Sequence, residues 1–408
     1  MEKPKLIRVG DFRLGKEERE SILDVLASGR LSEGPKVAQF EKEWARYVGT
    51  KFSVATNSGS GALMAILVAL KHLKGLPAGT KVITSPLTYI ATSSAISNVG
   101  FEPVYVDVDP HTFNITPENI RRFLETDADR ERVAIILPVH LMGFPAPMDE
   151  INQIAAQYGL LVLEDSAQAH GSWYKGRRTG SLSLAAAFSF YIAHNIQAGE
   201  MGALTTNDPE INRLVRQIKA QGRACDCLVC TRDQGYCPQL AGYEGTEDYD
   251  PRFAHDLIGY NFKLMEFQAA LGLVQLKKAD WIIQRRQENV KVLNEHLAVH
   301  EDVLQLPPYS EEVSYLAYPI VIKRPDLVSR RYLRGALEAL GVETRPLFGS
   351  IPTQQRAYAH LKSQYEGKLP HADYLGLHAF YVGCHQYLSQ EDLERVVEAF
   401  HTILGAKR

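Results

Sequence analysis

The sequence predicts an α/β protein in which a large domain with a mostly parallel mixed sheet is followed by a smaller α+β domain. The first indication is a series of short runs rich in Val, Ile and Leu that alternate with helical segments. The second is the length of 408 residues, which exceeds one ordinary core and fits two unequal domains. Because the pattern changes near residue 275, we expect domains at 1–275 and 276–408.

The predicted strands of the large domain follow one another in a regular order. They are KFSVATN, KVITSP, PVYVDVD, VAIILPVH and LLVLED. Helical patterns lie between them, at Ala62–Leu73, Ala91–Asn98, Glu118–Glu125 and Met148–Tyr158. AAAFSFY and GALTTN predict two further strands without a full helix between them, so part of the sheet is expected to be antiparallel.

A long loop is predicted at 223–252, because this segment is rich in Cys, Gly, Asp and Tyr and lacks periodicity. Loops of this length inside a domain are usually functional. A helical stretch is predicted next, at about 265–300. The small domain then contains the strand-like runs VSYLAYPIVI and VETR, a helix in SRRYLRGALEALG, and a final amphipathic helix at Gln390–Leu404.

Composition and charge exclude several classes of protein. Lys and Arg number 45 and Asp and Glu 48, so the net charge of −3 gives no basic surface for nucleic acid. The N-terminal segment lacks the apolar core of a signal peptide. The longest apolar stretches, Ala62–Leu70 and Val133–Val139, are too short to span a membrane. We therefore expect a cytoplasmic protein.

Four of the five cysteines fall within the predicted loop, at Cys225, Cys227, Cys230 and Cys237. In a large chain without a secretion signal, such a cluster indicates metal or iron–sulfur ligation before disulfides. Four thiolates suit an iron–sulfur cluster or tetrahedral zinc, and a zinc ion here would be structural. The sequence leaves open these two alternatives and a third, a loop without metal.

Two segments have features of a site for an anionic ligand. The SGSG motif at 58–61 separates a strand from a helix, where small residues and free N–H groups suit a phosphate; a tight turn with a helix cap is the alternative. Asp165 follows a buried strand, so its carboxylate is expected at the edge of the sheet where α/β proteins bind ligands. A buried carboxylate needs a cation, and a protonated pyridine nitrogen or an Arg would serve.

A longer series of motifs resembles one protein family. SGSGAL, PLTYIAT, PVHLMGFPAPMD, EDSAQAHG, YKGRRTGSL, FSFYIAHN, GEMGALTTND and GYNFKLMEFQAALG occur in this order. Together they are similar to the DegT/DnrJ/EryC1/StrS family of sugar aminotransferases, from about residue 31 to residue 276. The resemblance implies the aspartate aminotransferase fold (fold type I) and a pyridoxal-type cofactor.

The resemblance also implies which residues hold the cofactor phosphate. Gly59 and Ser60 would bind it through the helix start, and Ser189 would add a hydroxyl group. Asn261 would reach the phosphate bound by a neighbouring subunit. This last contact implies a homodimer with shared active sites.

The residues around the cofactor ring include one departure from the family. By resemblance, Tyr89 would stack on the pyridine ring, Asp165 would pair with its nitrogen, and Gln168 would contact its hydroxyl group. His194 stands where the family has the lysine that holds the cofactor covalently. Imidazole cannot form an imine with an aldehyde, so we expect noncovalent binding of pyridoxamine phosphate or pyridoxal phosphate, most naturally of the pyridoxamine form. Histidine can still move a proton near neutral pH.

A histidine at this position is a mark of the sugar 3-dehydratases of the family, which are lyases of deoxysugar biosynthesis. The resemblance therefore implies dehydration or deoxygenation at C3 of a nucleotide-linked 4-keto-6-deoxyhexose. The cofactor amine would condense with the C4 ketone, and His194 would act as the base. A nucleotide-sugar aminotransferase with a structural zinc site and a catalytically inactive family member are the alternatives.

The cysteine loop bears on how the reaction is completed. One branch of these dehydratases restores the amine from glutamate, and the other carries an iron–sulfur cluster that receives electrons from a reductase. Cys225, Cys227 and Cys237 resemble three ligands of the second branch. Ala167 stands where its fourth ligand lies, so Cys230 would replace that ligand. We therefore expect iron–sulfur assistance, and the sequence leaves open whether an electron-donating reductase as a partner or glutamate completes the cycle.

Overall fold

The computed structural model of the chain describes residues 5–231, 234–240, 250 and 253–405. Among the described residues, the α-helices are α1 (Lys16–Ser28), α2 (Pro35–Val48), α3 (Gly59–Lys74), α4 (Ala91–Asn98), α5 (Pro117–Thr126), α6 (Met148–Tyr158), α7 (Pro209–Lys219), α8 (Glu266–Lys277), α9 (Ala279–Leu297), α10 (Arg330–Ala339), α11 (Lys362–Tyr365), α12 (Pro370–His378) and α13 (Gln390–Leu404). No helix in this part of the chain is long and apolar enough to cross a membrane.

The strands form two main sheets and a short two-stranded ribbon. They are β1 (Phe52–Thr56), β2 (Lys81–Thr84), β3 (Glu102–Tyr105), β4 (Val133–Leu137), β5 (Leu161–Asp165), β6 (Trp173–Tyr174), β7 (Arg177–Arg178), β8 (Ala185–Ser189), β9 (Gly202–Thr206), β10 (Leu304–Gln305), β11 (Tyr318–Ile322), β12 (Thr344–Pro346) and β13 (Ala379–Val382).

The larger sheet has seven strands in the order β1-β9-β8-β5-β4-β2-β3. Neighbouring strands from β8 to β3 are parallel, whereas β9 is antiparallel to both β1 and β8. The predicted mixed, mostly parallel sheet is confirmed, and its antiparallel part is the one that AAAFSFY and GALTTN predicted. Along β4, Val133 and Ile136 pack into one core cluster and Ile135 and Leu137 into another, as expected of a sheet with both faces covered.

The smaller sheet is antiparallel, with the order β10-β11-β13-β12. Its strands β11 and β12 are the predicted runs VSYLAYPIVI and VETR. The helical stretch predicted at 265–300 is two helices rather than one, because the chain bends at Lys278 between α8 and α9. The ammonium group of Lys278 lies 2.6 Å from Glu18 and 2.9 Å from Glu17, which fixes this bend against α1.

The fold brings several element ends to one edge of the larger sheet. Strand β5 ends at Asp165 and β8 ends at Ser189, while α3 begins at Gly59 and α4 begins at Ala91. Parallel strands present their carboxyl ends at the same edge, and helices that follow strands begin there. Polar side chains that are distant in sequence therefore meet at this edge.

Candidate cofactor-binding site

A cavity of about 590 Å³, called here the cofactor cavity, opens at this edge of the sheet. The predicted site residues that line it are Gly59, Ser60, Tyr89, Asp165, Gln168, Ser189 and His194. None of the described residues that line it is a lysine. The structure therefore gathers the predicted cofactor residues and the predicted base, except Asn261, around one space.

The beginning of α3 forms one wall and is suited to an anion. Ser58 caps the helix, since its hydroxyl group accepts the N–H of Gly61 at 3.1 Å. The first N–H groups of a helix have no partner within it, so those of Gly59 and Ser60 are available to a phosphate. A Cβ atom on Gly59 would stand 2.6 Å from Cβ of Ser189, so only glycine lets α3 approach β8 this closely.

Asp165 forms the floor of the cavity and is 5% exposed. It accepts hydrogen bonds from Thr92 Oγ1 at 2.7 Å and from the N–H of Ala167 at 3.2 Å. Burial raises the pKa of Asp165, and these two bonds oppose that rise. No Lys or Arg of the described residues forms an ion pair with it. A buried carboxylate that faces a cavity without a cation of its own fits the protonated nitrogen of a pyridine ring.

Two threonines behind Asp165 were missed by the sequence analysis. Thr92 has one hydroxyl proton and donates it to Asp165, so the 2.9 Å contact between Thr88 and Thr92 has Thr88 as donor. PLTYIAT is among the motifs quoted from the sequence, but nothing within it marks Thr92 as a partner of Asp165, which lies 73 positions further along the chain.

Glu164, the neighbour of Asp165 on β5, points to the other side of the strand and is fully buried. Its donors are His140 Nε2 at 3.0 Å, the N–H of Gly180 at 2.6 Å, the N–H of Leu182 at 2.9 Å and Ser183 Oγ at 2.9 Å. His140 Nδ1 accepts the N–H of Ala146 at 3.0 Å, so its proton lies on Nε2. The main-chain N–H of His140 also donates to the main-chain carbonyl of Asp165, so this network fixes the end of β5.

Gln168 and Tyr89 both line the cofactor cavity. The side-chain oxygen of Gln168 accepts the N–H of Met142 at 2.9 Å, which leaves its amide NH₂ as the group that can donate to a ligand. Tyr89 is 61% exposed, and its ring lies 5.8 Å from that of Phe348. An exposed aromatic face at a cavity of this kind fits a planar ligand.

His194 lies on the turn between β8 and β9. The turn is closed by the N–H of Ala198, which donates to the carbonyl of Phe190, and the N–H of His194 donates to the carbonyl of Tyr191. Burial lowers the pKa of His194 to about 4, with a smaller contribution from Arg286. The imidazole is therefore neutral near pH 7 and able to accept a proton.

Arg286 of α9 is a further residue that the sequence analysis missed. It is 1% exposed and donates to the carbonyl groups of Leu316 at 2.7 Å and Tyr315 at 3.2 Å. Its positive charge lowers the pKa of both His194 and His170. Nothing in the sequence of α9 distinguishes Arg286 from its neighbour Arg285, because its burial depends on contacts with distant segments.

Residues of the C-terminal part of the chain, on or beside the smaller sheet, also line the cofactor cavity. They include Arg345, Phe348 and Tyr381. Arg345 is 3.2 Å from Glu343, and both side chains are partly exposed. A cation and two aromatic rings are groups that suit the part of a substrate that extends beyond the cofactor.

Asn261 does not line the cofactor cavity. It is exposed, and its carbonyl group accepts the side-chain amide of Asn57 at 3.3 Å. Its predicted contact with the phosphate of a neighbouring subunit stays a prediction.

The four loop cysteines line a second cavity, of about 220 Å³, together with basic residues; this cysteine cavity is bordered by Arg30, Arg216, Lys219, Arg223, Lys263, Cys225, Cys227, Cys230 and Cys237. All four thiols are free. Within the described residues, however, no group of three or more His, Cys, Asp or Glu is arranged to hold a metal ion. The predicted four-thiolate arrangement is therefore not formed in this structure. Burial raises the pKa of Cys225 and Cys227, with smaller contributions from Cys227 to the first and from Asp226 to the second.

Comparison with known proteins places the cavity in context. A family model described as the DegT/DnrJ/EryC1/StrS aminotransferase family matches residues 13–401. The chain is 31% identical over 401 residues to GDP-perosamine synthase of Caulobacter vibrioides, with 98% of each chain covered. It is also 31% identical over 403 residues to dTDP-4-dehydro-2,6-dideoxy-D-glucose 3-dehydratase of Saccharopolyspora spinosa, covering 96% of this chain and 85% of that one.

A similar solved structure is that of Escherichia coli GDP-4-keto-6-deoxy-D-mannose-3-dehydratase with bound hydrated PLP. The TM-score is 0.83 at 26% identity, and the match covers 97% of this chain and 99% of the other. Relatives with both kinds of name, synthase and dehydratase, thus match almost the whole chain.

Proposed function

The chain belongs to the DegT/DnrJ/EryC1/StrS aminotransferase family, and from that premise we propose that it is a pyridoxamine-phosphate-dependent sugar 3-dehydratase. Family and fold type I architecture are as the sequence predicted. The proposed reaction removes the C3 hydroxyl group of a nucleotide-linked 4-keto-6-deoxyhexose, with His194 as the base. Relatives named as 3-dehydratases of GDP- and dTDP-linked keto sugars support this substrate class.

One observation carries the proposal: the neutral side chain of His194 lines the cofactor cavity, and none of the described lining residues is a lysine. An aminotransferase needs a primary amine that captures the cofactor as an imine at the end of each cycle. His194 cannot supply one, but it can take up a proton. The arrangement therefore favours chemistry that uses the cofactor amine and a base rather than a covalent resting state.

The residues of the cavity would hold pyridoxamine phosphate at both ends. The start of α3, with Gly59 and Ser60, and the hydroxyl group of Ser189 would bind the phosphate. Asp165 would bind the protonated ring nitrogen. Tyr89 would cover the ring, and Gln168 would donate to its hydroxyl oxygen.

When bound, pyridoxamine phosphate supplies an amine that condenses with a ketone and a ring that takes up electrons. Asp165 would keep the ring nitrogen protonated, which strengthens that uptake. One imidazole nitrogen of His194 would accept a proton from the cofactor methylene group. The protonated His194 would then donate this proton to the departing C3 hydroxyl group, so that water leaves.

The decisive experiment compares the wild type with His194→Asn after loading with pyridoxamine phosphate. We expect the variant to bind the cofactor with unchanged affinity but to release water from the keto sugar about 10²- to 10⁴-fold more slowly, the usual contribution of a general base. His385→Asn is a matched control, because His385 is also buried, with a pKa lowered to about 4 by burial, but does not line the cofactor cavity. Unchanged turnover in His194→Asn would remove the assignment.

A nucleotide-sugar aminotransferase is the second candidate, and the GDP-perosamine synthase relative favours it. It predicts that the protein transfers an amino group from glutamate to a keto sugar. The dehydratase proposal predicts that nitrogen from glutamate enters only the cofactor, where glutamate regenerates it. No aminosugar should form. Mass spectrometry of the sugar product distinguishes the two, and a product retaining C3 oxygen and carrying nitrogen would support the aminotransferase.

We further propose that the cysteine cavity binds an iron–sulfur cluster, with structural zinc as the alternative. Four thiols on one cavity support this in number, although not in their arrangement. No step of the reaction is assigned to the centre. Metal and sulfide analysis of protein purified without oxygen should find iron and sulfide, both lost in Cys227→Ser; zinc would support the alternative, and an unloaded protein would remove both.

We also propose a homodimer in which Asn261 reaches the partner's cofactor phosphate, and an electron-donating reductase as the partner of an iron-loaded enzyme. The exposure of Asn261 supports the first part. Asn261→Ala should weaken cofactor binding only in the dimer, as measured by sedimentation and cofactor titration. Turnover that requires glutamate and no electron donor would remove the reductase.

A further inference from the structure

Arg345 is the only Lys or Arg among the described residues that line the cofactor cavity. The other charged groups of this lining are the carboxylates of Asp165 and Glu200. The proposed cofactor phosphate is bound by main-chain N–H groups at the start of α3 and by a hydroxyl group, so the charge of Arg345 has no role in the site described so far. An anionic ligand in this cavity is repelled by the two carboxylates and attracted by Arg345.

The N-terminal segment fixes the carboxylate that holds Arg345. The N–H of Ile7 donates to the carbonyl of Gly341 at 2.8 Å, and the N–H of Glu343 donates to the carbonyl of Ile7 at 2.8 Å. Two residues further along, the N–H of Val9 donates to Glu343 Oε2 at 2.9 Å. These bonds hold the side chain of Glu343 beside Val9, which itself lines the cofactor cavity.

The other oxygen of Glu343 orients the guanidinium group of Arg345. Glu343 Oε1 accepts from Nη2 of Arg345 at 3.2 Å and from Nε at 3.4 Å. A guanidinium group has five N–H groups in a rigid plane, so these two contacts set the direction of the plane and leave other N–H groups for a ligand. The side chain of Arg345 is 46% exposed, so a ligand can reach it. A diphosphate suits this arrangement, because its oxygens can occupy N–H groups on both terminal nitrogens.

Aromatic rings lie beside Arg345. Tyr381 of β13 is its direct cross-strand partner on β12, so the two side chains share a face of the smaller sheet, and both line the cavity. Burial raises the pKa of Tyr381, and the charge of Arg345 opposes that rise. Phe348 also lines the cavity, and its ring lies 5.8 Å from that of Tyr89, which would cover the cofactor ring. The cation therefore lies among rings that suit the apolar faces of a sugar or a base.

We propose that Arg345 binds the diphosphate group of a nucleotide-linked substrate and so makes the cavity selective for sugars that carry one. A diphosphate held by Arg345 and a cofactor phosphate held by α3 use different groups of the chain, so both ligands bind at once. The inference rests on the proposed function for the sugar that the diphosphate carries. The anion site itself does not, because it follows from the lining of the cavity and is tested with nucleoside diphosphates alone.

The test titrates GDP, dTDP and inorganic diphosphate into the full-length protein loaded with pyridoxamine phosphate, so that the cofactor phosphate site is filled. The two nucleotides are chosen because related 3-dehydratases are named for GDP- and dTDP-linked sugars. We expect Arg345→Gln to weaken the binding of the preferred nucleoside diphosphate about 10- to 100-fold, the usual effect of losing hydrogen bonds to a charged group. Arg345→Lys, which keeps the charge but not the planar group, should recover part of the loss.

Four controls accompany these titrations. Arg331→Gln removes the same charge from an exposed position on α10 that does not line the cavity, and it should bind like the wild type. Guanosine and thymidine, which carry no phosphate, should not distinguish the wild type from Arg345→Gln. The affinity for pyridoxamine phosphate should also be the same in both. Added salt should reduce the difference between the two proteins, because it screens the charge of a partly exposed side chain.

Three results would overturn the inference. The first is a wild type that binds none of the three probes, or an Arg345→Gln variant that binds them equally well. The second is a loss of pyridoxamine phosphate affinity in Arg345→Gln, which would assign Arg345 to the cofactor phosphate. The third is a loss confined to glutamate, titrated in parallel, which would assign it to the carboxylate of an amino donor. An Arg345-dependent diphosphate site in a protein that releases no water from GDP- or dTDP-linked 4-keto-6-deoxyhexoses would leave the inference intact and count against the proposed function instead.

Discussion

The hydroxyl group of Thr92 offers a direct test of how Asp165 is prepared for a cationic ring. We predict that Thr92→Val, which keeps the side-chain shape, weakens the binding of pyridoxamine phosphate about 10- to 100-fold. A hydrogen bond to a charged group is worth about 1.5–3 kcal/mol, and about 1.4 kcal/mol corresponds to a tenfold change in affinity. The bond lost is the shorter of the two that Asp165 accepts, at 2.7 Å against 3.2 Å.

The pH dependence of this loss follows from the pKa of Asp165. Burial raises that pKa and the Thr92 hydroxyl opposes the rise, so the substitution raises the pKa further. Only the ionised carboxylate pairs with a protonated ring. The deficit in affinity should therefore be largest at low pH and shrink as the pH rises through the pKa of the variant.

The assay is an equilibrium titration of cofactor-free protein with pyridoxamine phosphate, followed by absorbance or fluorescence at several pH values. Ser93→Ala is the matched control, because it removes a buried hydroxyl group from the next residue of α4. Ser93 accepts a bond from Tyr105 at 3.1 Å and does not contact Asp165. Equal affinities of Thr92→Val and wild type at every pH would refute this account of the carboxylate.

Three further predictions concern the cavity and its supports. Gly59→Ala should weaken the binding of pyridoxamine phosphate at least about tenfold, because the added methyl group presses on the end of β8. Unphosphorylated pyridoxamine should bind as before. An equal loss of affinity for both ligands would contradict a phosphate site. Glu164→Gln should lower the free energy of unfolding by about 1.5–3 kcal/mol, because one of the two oxygens that accept buried hydrogen bonds becomes an NH₂ group that cannot accept them, and a urea titration with an unmoved midpoint would contradict this. Arg286→Met should raise the pKa of His194 from about 4, because a nearby cation is removed, and so shift the acidic limb of the pH–rate profile upward; a limb that does not move would exclude this electrostatic effect.

The sequence predicted the elements whose signals are local. The helix at Gln390–Leu404 has the predicted bounds because its periodicity and its cap are both contained in the segment. The place of Asp165 at the ligand-binding edge also followed from sequence, since the carboxyl ends of parallel strands meet at one edge, whereas Gly59 and Ser189 were expected beside it by the family resemblance. Their roles in binding, however, rest on the family resemblance and stay proposals.

The features that the sequence did not predict depend on contacts between distant segments. Arg286 is functional in this account only because the carbonyl groups of Tyr315 and Leu316 surround it. The cysteine loop shows the converse: close spacing along the chain brought four thiols to one cavity but did not orient them as ligands.

Because no lysine is present among the described residues that line the cofactor cavity, the fraction of protein that carries the coenzyme depends on the coenzyme concentration and its Kd. A ligand that binds the folded chain alone stabilises it by about 2.7 kcal/mol at one hundred times its Kd, and by nothing when it is absent. The melting temperature should therefore climb with the concentration of added coenzyme and fall again on dialysis. On the proposed function, this protein behaves less like an enzyme with a fixed prosthetic group than like one that must compete for its coenzyme in every cycle.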